Sequence, residues 1–128
     1  MRFLLDTHTF LWWVSDDPQL SKNALRLIAS PDNDIFLSSV SGWEIAINVQ
    51  LGKMKVPAPF EQFVAEQIFH NDIATLPIKM SHALHVQSLP LHHRDPFDRM
   101  LIVQSQLEKM PIISVDSVFE YYDVEVVW

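Results

Sequence analysis

Residues 2–6 of the chain read RFLLD, a short apolar run that ends on an acid. The run predicts a buried strand over Arg2–Leu5, with Asp6 at its carboxyl end. The later stretch IISVD repeats this arrangement, with a strand predicted over Ile112–Val115 and Asp116 directly behind it. Two buried strands that both end on a carboxylate raise the question whether acids gather at one edge of a sheet.

Strand and helix patterns alternate between and around these two runs. Apolar residues at helical spacing predict helices, and short apolar runs bounded by polar turn residues predict strands. The predicted helices are Ser21–Ile28, Val40–Leu51, Pro59–His70, Lys79–Leu89 and Pro96–Lys109. The further predicted strands are Asp34–Ser38, Ile73–Leu76 and Val124–Trp128. In addition, Thr9–Val14 is apolar and aromatic, and a helical turn is predicted over Val118–Tyr121. This alternation predicts an α/β domain whose mainly parallel sheet carries helices on both faces.

The length of 128 residues favours a single domain over residues 1–128. With 48% apolar and 20% charged residues, the composition is typical of a globular protein. The absence of cysteine excludes disulfides, thiolate zinc sites and cysteine nucleophiles. Two glycines are too few for a glycine-rich phosphate loop or a dinucleotide fingerprint.

Without a membrane-length apolar run, and with an acid as early as Asp6, we expect a soluble, cytoplasmic protein and no membrane association.

The charge balance sets 9 basic against 16 acidic residues, a formal net charge of −7. Passive binding of nucleic acid draws its affinity mostly from Lys and Arg, so this balance argues against that class. It does not exclude an enzyme whose clustered carboxylates hold metal ions, because the bound cations reverse the local sign.

Five acids follow or face the predicted strand ends. Asp6 and Asp116 close two strands, Glu44 lies on the helix after a third, and Asp95 and Asp98 open the last long helix. In a parallel sheet these positions all lie at the carboxyl edge, where ligands bind. The shared edge favours a functional acidic site over acids scattered on a solvated surface.

Some of these acids also have a purely structural interpretation. Asp95 in front of Pro96 fits a helix N-cap with proline at the first helical position. Asp98 is favourable in the first turn of the same helix. Asp6 caps nothing obvious from its local sequence.

Two capping boxes of the pattern S-x-x-E offer structural interpretations for other acids. In the first, Glu44 would only bond back to the backbone of Ser41. The second joins Ser117 to Glu120 and would leave Asp116 free to point elsewhere, although Asp116 is itself a candidate cap.

Four stretches together resemble a known family. They are LLDTHTFLWW, SSVSGWEIAINVQLGKM, HHRDPFDRMLIVQSQ and IISVD, and they resemble PIN-domain ribonucleases, more closely the VapC-like toxins of bacterial type II toxin–antitoxin pairs. The resemblance implies a three-layer α/β/α domain with a short, mainly parallel sheet. It also implies an acidic site that holds Mg²⁺ or Mn²⁺, cleavage of RNA, a homodimer, and a cognate antitoxin that covers the acidic site.

The resemblance carries catalytic and metal-binding roles onto Asp6, Glu44, Asp98 and Asp116. We expect Asp6 to be the central ligand with Asp98 beside it, while Glu44 and Asp116 hold a second ion or act through bound water. Asp98 is preferred over Asp95 because Asp95 has a cap to make, although Asp95 stays a further candidate ligand. Carboxylate oxygens suit Mg²⁺, which prefers oxygen ligands and keeps several waters.

The expected supporting contacts lie beside these acids. Thr7 and Ser114 are candidates for hydrogen bonds to the carboxylates or to the scissile phosphate. The candidates for gripping the RNA backbone are Arg94, Arg99 and Lys53, with Lys55 interpreted as a solvated side chain.

The histidines suggest a zinc site only weakly. His82 with His85, and the pair His92 and His93, lack the zincin H-E-x-x-H spacing and a third ligand. Of these, His92 or His93 is a candidate for contacting RNA beside Asp98.

The adjacent residues Trp12 and Trp13 point in different directions if both are helical, so one of them is expected to leave the core. Such a surface aromatic is typical of an interface with a second subunit or an antitoxin.

Two other functional classes stay open. A phosphoryl-transfer domain of the haloacid-dehalogenase or response-receiver type also places an aspartate after its first strand, and the run from Asp6 to Thr9 resembles D-x-D-x-T. His8 stands where that motif needs its second aspartate. A non-catalytic binding module with the same fold is the other alternative.

Overall fold

The computed structural model describes all 128 residues and is built around one parallel sheet. Its strands are β1 (Arg2–Leu5), β2 (Asp34–Ser38), β3 (Ala74–Leu76), β4 (Ile112–Ile113) and β5 (Val126–Val127). They lie in the order β3-β2-β1-β4-β5, and all four pairings are parallel. Leu4 in the central strand pairs with Phe36 on one side and with Ile112 on the other.

Six helices connect these strands. They are α1 (Thr7–Val14), α2 (Lys22–Ala29), α3 (Ser39–Gln50), α4 (Phe60–His70), α5 (Met80–His85) and α6 (Pro96–Glu108). Short 3-10 turns follow at Val86–Ser88 and Ser117–Tyr121. No helix combines the length and the apolar character that crossing a membrane requires.

The two faces of the sheet bury separate cores, because successive side chains of a strand point to opposite faces. On one face Phe3 and Leu5 of β1 pack with Phe10 of α1 and with residues of α2. On the other face Leu4 packs with residues of α6 and with Phe119. The expected three-layer α/β/α architecture is confirmed.

The strand order places a topological switch between β1 and β4. From β1 the chain proceeds through β2 to β3 on one side, and it later adds β4 and β5 on the other. Ligands of open parallel sheets bind at the carboxyl ends of strands where the order reverses in this way. The residues that follow β1 and β4, Asp6 and Ser114, therefore flank the expected site.

Most predicted elements are present, but some are shorter than predicted. The predicted helix Lys79–Leu89 is α5 (Met80–His85) followed by a 3-10 turn, and the predicted strand Val124–Trp128 is reduced to β5 (Val126–Val127). The strands Arg2–Leu5 and Asp34–Ser38 have the predicted limits. The predicted strand Ile112–Val115 is wrong in length, because the chain turns at Ser114, whose hydroxyl accepts the N–H of Asp116 at 3.0 Å.

Both predicted capping boxes are wrong. α3 begins before Ser41, since the Ser38 hydroxyl caps it by accepting the N–H of Val40 at 3.1 Å. Glu44 is therefore free of any capping duty. In the last 3-10 turn the cap is Asp116 rather than Ser117.

The expectation that one of the paired tryptophans leaves the core is also wrong. Trp12 and Trp13 are both partly buried against the first core. Trp12 packs edge-on against Trp128, and the Trp13 indole N–H donates to Asn71 at 2.9 Å. The exposed tryptophan is Trp43, which is 58% exposed.

Candidate active site

Asp6 lies at the carboxyl end of β1 and is buried, with 6% of its surface exposed. It is the N-cap of α1, because its Oδ1 accepts the N–H of Thr7 at 2.7 Å. Its Oδ2 accepts the hydroxyl of Ser114 at 2.8 Å. Both oxygens are thus held in place from two neighbouring strand ends.

Ser114 and Asp116 form the β4 side of the site. The Ser114 hydroxyl donates to Asp6 and accepts from the backbone N–H of Asp116, so it links the two acids. Asp116 uses Oδ1 to cap the 3-10 turn through the N–H of Val118 at 3.0 Å. The predicted supporting contact from Ser114 to a carboxylate is present in the structure.

Glu44 lies in the second turn of α3, on the helix that follows β2. The Thr7 hydroxyl at the start of α1 donates to Ser41 of α3 at 2.8 Å, which brings these two helices together. Thr7 therefore connects the β1 and β2 sides of the site.

Asp95 and Asp98 open α6 and have different surroundings. Asp95 is exposed, and its Oδ1 accepts the N–H groups of Phe97 and Asp98 at 2.9 and 3.1 Å. Its predicted N-cap role is confirmed. Asp98 is half-buried, and its Oδ2 lies 3.3 Å from Nε2 of His93.

The acids repel one another, and Asp98 shows this most clearly. Burial, followed by the charges of Asp95, Asp6, Asp116 and Glu44, raises the pKa of Asp98 to about 8. A carboxyl group behaves in this way when desolvation and like charges both disfavour its ionised form.

Asp6 and Glu44 are shifted in the same direction. Burial raises the pKa of Asp6, against the hydrogen bonds from Ser114 and Thr7. Burial also raises the pKa of Glu44, with further contributions from the charges of Asp95 and Asp6. The acids of four chain segments are therefore electrostatically coupled at one edge of the sheet.

These acids offer the donor set that a hard divalent cation prefers, since all of them are carboxylates. No Lys or Arg forms an ion pair with any of them. No group of three or more His, Cys, Asp or Glu side chains is spaced to hold a metal ion as the side chains stand. The carboxylates therefore fit such a cation in chemistry and in charge, but in this structure they are not close enough together to ligate it.

Arg99 is not an RNA-binding residue, which corrects the prediction for it. It is 7% exposed, because its guanidinium group is turned into the protein. Its acceptors, at 2.8 to 3.5 Å, are the carbonyls of Val86, Leu89, Pro90 and His93 and the hydroxyl of Tyr122. Arg99 thus fixes the loop before α6.

The other predicted RNA contacts lie at the surface. Arg94, Lys53 and Lys55 are exposed, and none of them forms an ion pair. Arg94 lines an apolar groove of about 310 Å³ together with Trp43 and Pro96. Trp43 directly precedes Glu44, and Arg94 and Pro96 flank Asp95, so residues of the groove are adjacent in sequence to two of the acids.

Sequence reasoning missed the roles of Tyr122 and His8. Tyr122 contacts His93 beside Asp98, and a tyrosine in the last segment carries no local signal of this. His8 is exposed next to the site, and a positive charge on it opposes the rise that burial causes in the pKa of Asp6 and of Glu44. Its position two residues after the first acid was the available signal.

His82, considered above for zinc, is a buried core residue. Its Nε2 lies 2.9 Å from Glu108, and its Nδ1 accepts the N–H of Lys79 at 3.0 Å. These bonds join α5 to α6 on the side of the molecule away from the strand ends.

The sequence is similar to known proteins over nearly its whole length. The sequence pattern of the PIN domain matches residues 3–125. The chain is also 32% identical over 72 residues to Ribonuclease VapC16 from Mycobacterium tuberculosis. That alignment covers 53% of this chain and 51% of the relative, so it spans about half the length of the curated protein.

Solved structures share the fold at low sequence identity. A chain of VapBC2 from Rickettsia felis, bound to a promoter DNA fragment, superposes with a TM-score of 0.73 at 16% identity, covering 99% of this chain and 98% of that one. A chain of VapBC-5 from Mycobacterium tuberculosis gives a TM-score of 0.63 at 21% identity, with 98% and 97% covered. These likenesses show the fold, and the sequence match over residues 3–125 shows the family. The chain belongs to the PIN domain family.

Proposed function

We propose that this protein is a metal-dependent endoribonuclease and the toxin of a toxin–antitoxin pair. The observation that carries the proposal is the set of carboxylates from four chain segments at one edge of the sheet, where burial and the neighbouring acids together raise the pKa of Asp98 to about 8. Helix caps do not need several carboxylates so close together that they repel one another, whereas a binding site for divalent cations does. The PIN domain match does not favour the phosphoryl-transfer alternative.

Asp6, Asp98, Glu44 and Asp116 are the residues that would hold Mg²⁺ or Mn²⁺, with Asp95 at the margin. When bound, such a cation supplies the positive charge that lets water attack a phosphodiester. Asp6 is the best-ordered ligand, because Thr7 and Ser114 fix both of its oxygens. Asp116 uses Oδ1 for its cap, so its Oδ2 is available to a cation.

RNA would reach the site across a surface with few positive charges. Arg94 and Lys53 are exposed and free of ion pairs, so both are available for phosphate groups. Trp43 offers an exposed ring at the rim, packed edge-on against Phe97 at 5.3 Å between ring centroids. Aromatic faces stack on unpaired bases, so a single-stranded substrate fits this rim best.

The proposed partners follow from the same electrostatics. The structural neighbours VapBC2 and VapBC-5 belong to the VapBC family of toxin–antitoxin systems. A cluster of carboxylates, on a chain whose formal net charge is −7, attracts a cationic segment. We therefore propose an antitoxin that places Arg or Lys among the carboxylates. A homodimer in the cytoplasm is the proposed working form, which light scattering would report as about twice 14.8 kDa.

Cleavage of RNA by the Asp6→Asn variant tests the proposed activity. Asparagine keeps the shape and the α1 cap but removes the charge, so we expect a folded protein that does not cleave. EDTA should abolish cleavage by the wild type, and added Mg²⁺ or Mn²⁺ should restore it. The readout is the length distribution of a labelled RNA, with circular dichroism as the folding control.

Asp72→Asn is a matched control, since Asp72 is exposed on the loop that leads into the amino end of β3, whereas the acidic site lies at the carboxyl ends of the strands. It should cleave as the wild type does. Cleavage that persists in Asp6→Asn and in EDTA would rule out the metal-dependent site.

A further inference from the structure

A chain of hydrogen bonds runs from Tyr122 through His93 to Asp98. The Tyr122 hydroxyl lies 2.7 Å from Nδ1 of His93, and Nε2 of His93 lies 3.3 Å from Oδ2 of Asp98. Tyr122 is 6% exposed, and the side chains of His93 and Asp98 are each 18% exposed. Water therefore has little access to these bonds, and their direction depends on the surrounding protein groups.

Two further donors determine that direction. The backbone N–H of His93 and Nη1 of Arg99 both donate to the Tyr122 oxygen, at 3.3 and 3.2 Å. Neither group can accept a hydrogen bond. With both lone pairs of its oxygen engaged, Tyr122 must direct its own O–H at the remaining neighbour, Nδ1 of His93.

This direction sets the tautomer of His93. A neutral imidazole whose Nδ1 accepts carries its proton on Nε2. The Nε2–H group then donates to Oδ2 of Asp98, which is the only side-chain hydrogen bond that this carboxylate receives. Oδ1 of Asp98 is left without a protein partner.

We propose that Tyr122 and His93 are positioning residues, which hold the Asp98 carboxylate in one orientation and leave Oδ1 for a divalent cation. The effect on rate rests on the proposed metal-dependent cleavage, whereas the direction of the hydrogen bonds does not. Arg99 also stabilises this arrangement, because its guanidinium group donates hydrogen bonds to backbone carbonyls of the loop that carries His93.

The Tyr122→Phe variant tests this role, with Tyr121→Phe as its matched control. Tyr121 loses the same atom, but it is 68% exposed and its hydroxyl bonds to no protein group. Removing a group that orients a metal-binding side chain costs about 10- to 100-fold in metal affinity or activity. We expect this loss in kcat and in Mn²⁺ affinity for Tyr122→Phe, with an unchanged KM for RNA, and no loss for Tyr121→Phe.

Two substitutions of His93 keep the test valid if Tyr122→Phe folds poorly. His93→Gln retains an N–H donor that can reach Asp98, whereas His93→Leu does not. We therefore expect His93→Gln to bind Mn²⁺ more tightly than His93→Leu in calorimetric titrations. Equal affinity in these two variants would contradict a positioning role.

Nitrogen chemical shifts of the wild-type histidines test the hydrogen-bond direction without metal or substrate. Nε2 of His93 should carry the proton and Nδ1 should be unprotonated. A proton on Nδ1, or on both nitrogens, would overturn the inference even in an active nuclease. If the wild type cleaves no RNA with any divalent cation, the proposed function fails, while the tautomer and the Mn²⁺ affinities still decide the positioning role.

Discussion

Asp98 combines a half-buried carboxyl group with four acidic neighbours, so its ionisation is coupled to folding. In the unfolded chain its pKa has the ordinary aspartate value of 3.8, whereas burial and the neighbouring charges raise the pKa to about 8 in the folded protein. Between these values the folded state holds a proton that the unfolded state has lost. Stability from this group is therefore complete below pH 3.8 and is lost as pH rises towards 8, by at most about 1.4 kcal/mol per unit.

Urea denaturation in EDTA at several pH values between about 5.5 and 8.5 measures how the free energy of unfolding changes per pH unit. The free energy of unfolding of the wild type should fall as pH rises. Asp98→Asn should show a flatter profile and should equal or exceed the wild type at about pH 8, because a repulsive charge has been removed. Identical slopes in the two proteins would mean that Asp98 is not the titrating group.

Arg94 and Arg99 have the same side chain but opposite surroundings, since Arg94 is exposed and Arg99 is buried. Arg99→Met should lower the free energy of unfolding by about 3 kcal/mol, because several buried carbonyls lose their donor. Arg94→Met should change stability by less than about 0.5 kcal/mol, as is usual for exposed sites. Thermal denaturation of both variants makes the comparison.

Arg94 should instead affect RNA binding. In a cleavage-deficient Asp6→Asn background, Arg94→Met should weaken RNA affinity and reduce the slope of log affinity against log salt by about 0.7, the value for one phosphate contact on a single strand. An unchanged slope would remove Arg94 from the RNA surface.

At the scale of the elements, α6 depends on the Asp95 cap. Asp95→Ala should destabilise the protein by about 1 kcal/mol, whereas Asp95→Asn should cost little because asparagine caps equally well. Both variants remove one charge that raises the pKa of Asp98. If Asp95 only caps, Asp95→Asn should cleave RNA as the wild type does; loss of Mn²⁺ affinity in Asp95→Asn would identify it as a ligand.

The strands, the helices and the common edge of the acids could be predicted from sequence because they depend on local periodicity. The interior position of Arg99 could not, since its acceptors are backbone carbonyls of a loop with no regular pattern. The caps of α3 were misplaced because Ser38 and Ser41 carry equal local signals. The Tyr122 contact depends on packing between the last segment and α6.

For the whole molecule, repulsion among carboxylates predicts that divalent cations stabilise the fold. An ion that binds only the folded state raises its stability by about 2.7 kcal/mol at about 100 times its Kd. Wild-type Tm should therefore rise with Mg²⁺ or Mn²⁺, and most of this gain should be lost in Asp98→Asn and Asp116→Asn. A Tm that is independent of divalent cations would indicate that the acids are only caps.

The hydrogen bond from Ser114 to Asp6 joins residues 108 positions apart in the chain. A ribosome synthesises Asp6 long before it reaches β4 and Ser114, which lie much later in the chain. Until then Asp6 has neither its hydroxyl partner nor a fourth strand beside it. The carboxyl edge of the sheet is therefore complete only once β4 has paired with β1. The proposed cleavage of RNA would begin with that pairing, and not while the first half of the chain is being made.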